Sequence, residues 1–334
     1  MKGEKIMKKI LSVLLCIVML FSVMSLVGCA KEENVKLGLG TVAYLEKVTN
    51  ADADTNGSAS TAVTVAGVLL DKDGKIVDCV IDSAAYTQEF TSKGKFTEAK
   101  DLRTKYEKGK DYGMVAYGGA KKEWFEQVDA FVSVAKGKNL EEIKALVATD
   151  GKGSTDVVTA GCTVFVTDFV KALEKAINNA KDSSATAKDK IKLGIVSAQT
   201  GCKDATEEAA GVNEVDATYS VAAVNGEGKV TAIATDSLQA KVSFSLKGEA
   251  AVATGTEIQT KLEQGDNYGM VAYGNAAKEW YQQVAEFDKA CIGKDANEIA
   301  KLVTKDGKGT EEIQTAGCTI AITDIVAAAQ KAAK

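Results

Sequence analysis

The sequence predicts an α+β fold of two homologous domains, each an antiparallel β-sheet with a β-hairpin followed by C-terminal helices. Three observations carry the prediction. Gly113 and Gly269, Lys122 and Lys278, Trp124 and Trp280, Asp150 and Asp306, and Thr163 and Thr319 all stand 156 residues apart. That period means a duplicated domain, because solenoid repeats run about 20–50 residues per unit. Within each copy, strand-like alternation of apolar positions comes first and helical spacing comes later, an order that segregates sheet from helices.

Residues 1–28 read as a secretory leader. Lys2, Lys5, Lys8 and Lys9 form a cationic start, residues 10–20 an apolar core, and Leu26-Val27-Gly28-Cys29 follows. The apolar run is too short and wrongly flanked for a stable membrane span. Its end resembles the lipobox of bacterial lipoproteins, which implies a lipoprotein signal peptide, lipidation of Cys29, and residues 29–34 as anchor and spacer at the extracellular face of the cell membrane. Because the leader holds four lysines and Glu4, its removal takes the net charge from −5 to −8. A chain this acidic offers nucleic acid no electrostatic footprint.

Histidine and proline are both absent. Without histidine, the Ser-His-Asp and Cys-His arrangements and the commonest metal ligand and general base are missing, which argues against hydrolytic catalysis. Of seven cysteines, Cys16 leaves with the leader and Cys29 is assigned to lipid. The remaining five, Cys79, Cys162, Cys202, Cys291 and Cys318, are odd in number and lack metal-ligand spacing. They read as small buried hydrophobes, with no metal site.

The first domain spans 35–180. Residues 35–44 read as a strand, with Lys36-Leu37-Gly38 matched by Lys192-Leu193-Gly194. Residues 62–70 and 75–81 alternate around Asp71-Lys72-Asp73-Gly74, a hairpin copied at 218–224 and 229–234 around Asn225-Gly226-Glu227-Gly228. Trp124, Val128, Phe131 and Ala135 then mark one face of a helix, and Trp280, Val284 and Phe287 repeat it. Ile143, Leu146 and Val147 give a shorter helix. Residues 164–166 read as a strand, Thr167-Asp168 as a helix cap, and Phe169, Val170, Leu173, Ala176 and Ile177 as the last helix. A Ser-, Ala-, Lys- and Asp-rich stretch places a linker at 181–190 and the second domain at 191–334.

The sharpest repeat is Thr159-Ala160-Gly161-Cys162-Thr163, returning as Thr315-Ala316-Gly317-Cys318-Thr319. A glycine turn before a capped helix would hold the hydroxyl of Thr163 near a helix N-terminus, where free N–H groups favour phosphate. Together with the apolar run and helix after it, this stretch resembles the end of the FMN-binding domain family of exported bacterial flavoproteins. The stretch 105–131, with Tyr112-Gly113-Met114 and Lys122-Glu123-Trp124, resembles tandem-domain surface lipoproteins of Gram-positive bacteria. The resemblance implies FMN joined by a flavin transferase, through a phosphoester, to Thr163 and Thr319, with Gly161, Gly317, Cys162 and Cys318 around it. It further implies electron transfer from a membrane quinol-linked donor to an extracellular acceptor. The chain departs from the family pattern at Ala160, Ala316, Cys162 and Cys318, and Thr159 and Thr315 are the alternative hydroxyls. Tyr117, Tyr273, Trp124 and Trp280 are candidates to stack on the ring, with core packing the stronger expectation for all four. The other reading of the sequence is a cofactor-free surface lipoprotein with a binding or structural role.

Overall fold

The computed structural model describes residues 33–334, so the leader, Cys16 and the lipidation assignment at Cys29 lie outside the described residues. Asn34–Lys334 form one compact unit. In its first half β1 (Asn34–Thr49), β2 (Gly57–Leu70) and β3 (Ile76–Phe90) make an antiparallel meander. In its second half β5 (Lys190–Lys203), β6 (Gly211–Val224) and β7 (Val230–Phe244) repeat it. The hairpin turns form where the sequence asks for them. Asp71 Oδ1 accepts from the N–H groups of Asp73 and Lys75, Asn225 Oδ1 accepts from those of Glu227 and Lys229, and Gly74 and Gly228 supply the positive φ.

Two sequence assignments need correction. The stretch assigned as a linker at 181–190 carries β4 (Lys181–Thr186), which pairs antiparallel with the start of β1 and gives the first sheet the order β3-β2-β1-β4. Its polar composition suits an edge strand, which needs only one partner. The sheet register also aligns Gly194 with Gly40 rather than Gly38, because Lys36 pairs Leu70 as Lys190 pairs Val224. Space enforces that equivalence. A β-carbon on Gly40 would lie 2.3 Å from the Ala172 carbonyl oxygen, and one on Gly194 would lie 2.2 Å from that of Ala328.

Helices cover one face of each sheet. The first layer is α1 (Lys105–Lys108), α2 (Trp124–Ala135), α3 (Leu140–Lys144), α4 (Thr155–Ala160) and α5 (Thr167–Asn178). The second is α6 (Lys261–Gln264), α7 (Met270–Gly274), α8 (Trp280–Cys291), α9 (Ala296–Ile299), α10 (Glu311–Ala316) and α11 (Thr323–Ala332). The apolar stripes read from the sequence are the buried ones. Trp124, Val128, Phe131 and Ala135 pack with Ala66, Val68 and Ile81, while Trp280, Val284 and Phe287 pack with Ala222 and Val224.

The opposite faces of the two sheets pack on each other. Val35, Leu37, Leu39, Val63, Val65, Leu69 and Tyr86 of the first half share one core with Ile191, Ile195, Tyr219, Val221 and Leu238 of the second. The order of layers is therefore helices, sheet, sheet, helices. Equivalent phenylalanines, Phe90 and Phe244, stack at 4.8 Å between ring centroids where the two ends of the meanders meet.

Across that shared core, β1 and β5 keep matched sizes at Leu37/Ile191 and Leu39/Leu193, but several equivalent positions of the next two strands are unequal in size. Val63 corresponds to Ala217, Val65 to Tyr219, Gly67 to Val221, Leu69 to Ala223, Ala84 to Leu238 and Tyr86 to Ala240. In every pair one residue is larger than the other. Two faces that fill one close-packed interior must interdigitate, which identical faces meeting across a two-fold do poorly. These strand positions have accordingly diverged, while residues 159–163 are identical to residues 315–319.

Candidate functional site

The repeated motif is the end of one helix, not the start of the next. Thr159 and Ala160 close α4, and Gly161 follows as its C-cap at φ 108°, with Gly161 N–H donating to Val158 O and Cys162 N–H to Val157 O. Gly317 does the same after α10 at φ 107°. The strand assigned to 164–166 reduces to a single bridge between Lys152 and Phe165. The cap assigned to Thr167-Asp168 is also corrected. Val166 is the N-cap of α5, without a side-chain bond, and Tyr44 OH donates to Asp168 Oδ2 at 2.9 Å.

Thr163 is exposed, and a buried side chain fixes it. Its N–H and its hydroxyl both donate to Gln127 Oε1, at 2.8 and 3.0 Å, while Gln127 Nε2 donates to the Lys122 carbonyl. Thr319 is held identically by Gln283, at 2.9 and 3.2 Å, with Gln283 Nε2 on the Lys278 carbonyl. Gln127 and Gln283 lie on the apolar faces of α2 and α8, so each buried carboxamide is satisfied by the loop it holds. Sequence reasoning assigned neither glutamine a role. The available signal was a polar residue at the same place on an apolar stripe in both copies.

The other motif residues divide by side chain and backbone. Cys162 and Cys318 are fully buried in the helix–sheet cores, and burial pushes both thiols up to about 11. They anchor the loop from inside and offer a ligand only backbone. Lys122 rests its ammonium on Gly161, 3.4 Å from the Ala160 carbonyl oxygen, where a β-carbon at 161 would meet it at 2.3 Å. Lys278 repeats this at 2.9 Å from Ala316 O but also pairs with Glu286 at 3.1 Å. The two sites differ in charge, because Ala130 stands where Glu286 does.

A second loop lies beside each motif. Glu123, the buried N-cap of α2, accepts from the N–H groups of Met114 and Val115 at 3.0 and 3.3 Å, and Glu279 accepts from Met270 and Val271 at 2.9 and 3.0 Å. The first of these segments carries Tyr117 and its counterpart, the short helix α7, carries Tyr273; they are 92% and 88% exposed, against the core packing expected of them. For Trp124 and Trp280 that expectation holds: both are buried beneath Lys105 and Lys261, whose ammonium groups stand over the indoles at 5.5 and 5.4 Å.

Buried aspartates pin the start of this assembly to the sheets. Asp82 on β3 accepts from Tyr106 N–H, and Asp236 on β7 accepts from Leu262 N–H at 3.0 Å. Desolvation pushes Asp82 up to about 6 and Asp236 up to about 7. The unfolded carboxylates titrate near ~4. Between about pH 4 and pH 7 the folded chain therefore binds more protons than the unfolded one, and its stability falls as pH rises through that window. The opposite contribution, from Asp295 held down to about 2 by Lys229, is lost only in stronger acid. Thermal melts are expected to give a higher midpoint at pH 5 than at pH 8, by roughly 5 °C. A flat or inverted profile over that range overturns the assignment.

A groove of about 870 Å³ lies between α5 and residues 255–263 of the second half, lined by Tyr44, Phe165, Asp168, Lys171 and Glu263 among others. Its lining takes Phe165 from the loop that carries Thr163 but not Thr163 itself, and Ala321 replaces Phe165 in the second copy. It is therefore not the duplicated site.

Fold and site together define a duplicated α+β protein that presents two fixed, exposed threonine hydroxyls, each beside a lysine, on its outer layers. Comparison with protein-family models, curated proteins and solved structures gives no match. The residues present fit the phosphate end of FMN: an exposed threonine whose hydroxyl is fixed by Gln127, and an ammonium seated over the glycine two residues before it.

Proposed function

We propose that the chain is a lipid-anchored extracellular lipoprotein that carries FMN on Thr163 and Thr319 and passes electrons from a membrane quinol-linked donor to an extracellular acceptor. The observation that carries the reading is the identical double hydrogen bond from each threonine to a buried glutamine, kept in both copies while the strands beneath have diverged. Because the Thr163 hydroxyl donates to Gln127 rather than accepting from it, its lone pairs stay available for attack on an incoming phosphorus. Lys122 offsets the charge of the phosphodiester that results, and Lys278, shared with Glu286, does so less. A flavin transferase supplies the base that takes the hydroxyl proton and an activated flavin phosphoanhydride, whose P–O bond to the second phosphate breaks as the threonine ester forms, the nucleoside monophosphate departing. When bound, the isoalloxazine supplies the redox chemistry.

One observation favours the cofactor-free reading: Ala160 and Ala316 leave the attachment loop without the extra hydroxyl of the family pattern. Intact mass and visible spectra of denatured protein, from cells co-expressing a flavin transferase, separate the two. The flavin reading expects a gain of one or two FMN groups that Thr163→Ala with Thr319→Ala abolishes and Thr159→Ala with Thr315→Ala preserves. An unmodified, colourless chain sinks it.

A further inference from the structure

We propose that Tyr117 and Tyr273 are the stacking platforms for the planar ring of the group carried at Thr163 and Thr319. This rests on the flavin reading above and adds to it the residues that fix the ring. An exposed tyrosine needs no explanation by itself. Two at equivalent positions, each on a short segment tied down by a buried glutamate, do.

The construction is the same in both copies. Gly113 is buried at φ 78°, and a β-carbon there would fall 2.5 Å from Tyr117 Cδ2, so the ring lies against the glycine and only glycine permits it. Gly269 stands to Tyr273 in the same way, at φ 79° and 2.5 Å. Tyr117 N–H donates to Gly113 O at 2.9 Å, and the next two N–H groups after Gly113 end on the carboxylate of Glu123, which is only 5% exposed. A buried carboxylate is costly unless hydrogen-bonded, so the loop geometry is held by a strong internal constraint. The result is an aromatic ring seated at one edge over a glycine and otherwise open to solvent.

The occupant follows from what adjoins the loop. Lys122 and Glu123 close it, and the same turn of chain lays the Lys122 ammonium on Gly161 and gives its carbonyl to Gln127, which holds Thr163. In the second copy Gln283 Nε2 also reaches Met270 Sδ at 4.0 Å, joining the tyrosine loop directly to the residue that holds Thr319. Platform and attachment hydroxyl thus share one rigid support at the start of α2 or α8. A phosphate fixed at the threonine beside the lysine leaves its ribityl chain free to lay a planar ring on the tyrosine, where offset stacking is favourable. The phenol is also an electron donor to an excited isoalloxazine, so contact quenches emission.

The test uses the full chain carrying Thr319→Ala, co-expressed with a flavin transferase, so that every signal comes from Thr163. Mass spectrometry first gives the loading. At unchanged loading, Tyr117→Ala is expected to raise flavin fluorescence severalfold and remove the visible circular dichroism of a fixed ring, while Tyr117→Phe retains that dichroism. Equal fluorescence and dichroism in Tyr117→Ala and its parent, both fully loaded, overturn the platform and leave the attachment reading intact. Absence of any mass gain in the parent overturns both.

Discussion

Replacing Gly67 with valine is expected to destabilise the chain by about 3 kcal/mol, the upper end of the usual cost of overpacking a closed core. Even the first atom of a side chain at this position would lie 2.4 Å from Val221 Cγ1, and Val221 is itself fully buried. The preference of valine for strands acts the other way but spans only about 1 kcal/mol. Val221→Gly alone opens a cavity opposite Gly67 and is expected to cost about 2 kcal/mol. The exchange of the two, Gly67→Val with Val221→Gly, restores one large and one small residue at the same contact. It is expected to be more stable than either single variant, a non-additivity that belongs to residues in contact. Urea unfolding of the four proteins decides the matter, and a double variant as unstable as the sum of the singles refutes the complementarity of the two sheets.

This contact also explains what the sequence could and could not reveal. The duplication, the hairpins with their Asx-held turns, and the stripes of α2 and α8 are local patterns, and each is where its residues place it. The shared core is not local. Strands such as β2 are buried on both faces, so their alternation of apolar with small residues reads equally well as a half-exposed hairpin. For the same reason β3 runs on to Phe90 through Thr87, Gln88 and Glu89, where polarity suggests an end. Gln88 is fully buried there, and its Nε2 donates across the sheet interface to the carbonyls of Asn213 and Ala240.

At the site the identity of the motif was legible and its conformation was not. Glycine after Thr159-Ala160 is equally a turn before a helix and a cap behind one, and nothing within five residues distinguishes them. The cap reading depends on Val157 entering the helical core, which only the packed structure provides. Gln127 and Glu123 are visible as repeated letters, but their roles are contacts to loops 36 and 8–9 residues away. Tyr117 is the reverse case. An aromatic between small residues invites a core assignment, and the glycine that supports it is four positions back.

Expressed alone, residues 34–186 are expected not to form a folded monomer, although a chain of about 150 residues is long enough for a core of its own. The separation would bare Val35, Leu37, Leu39, Val63, Val65, Leu69 and Tyr86 together. At about 1.5 kcal/mol or more for each large apolar side chain returned to water, the loss is on the order of 10 kcal/mol. That equals the whole stability of a typical domain, about 5–15 kcal/mol. Self-association through the bared face is the remaining way to cover it, and the unequal sizes across the natural interface make two identical copies a poorer match than the two halves. Sedimentation and circular dichroism of each half, and of the halves co-expressed, test this. Cooperative melting of a monomeric half would contradict it, whereas recovery of one folded species only when both are present supports it. In that case the duplication makes a single rigid body with a threonine site on each outer helical layer, and the spacing between the sites is set by two packed sheets rather than by a linker.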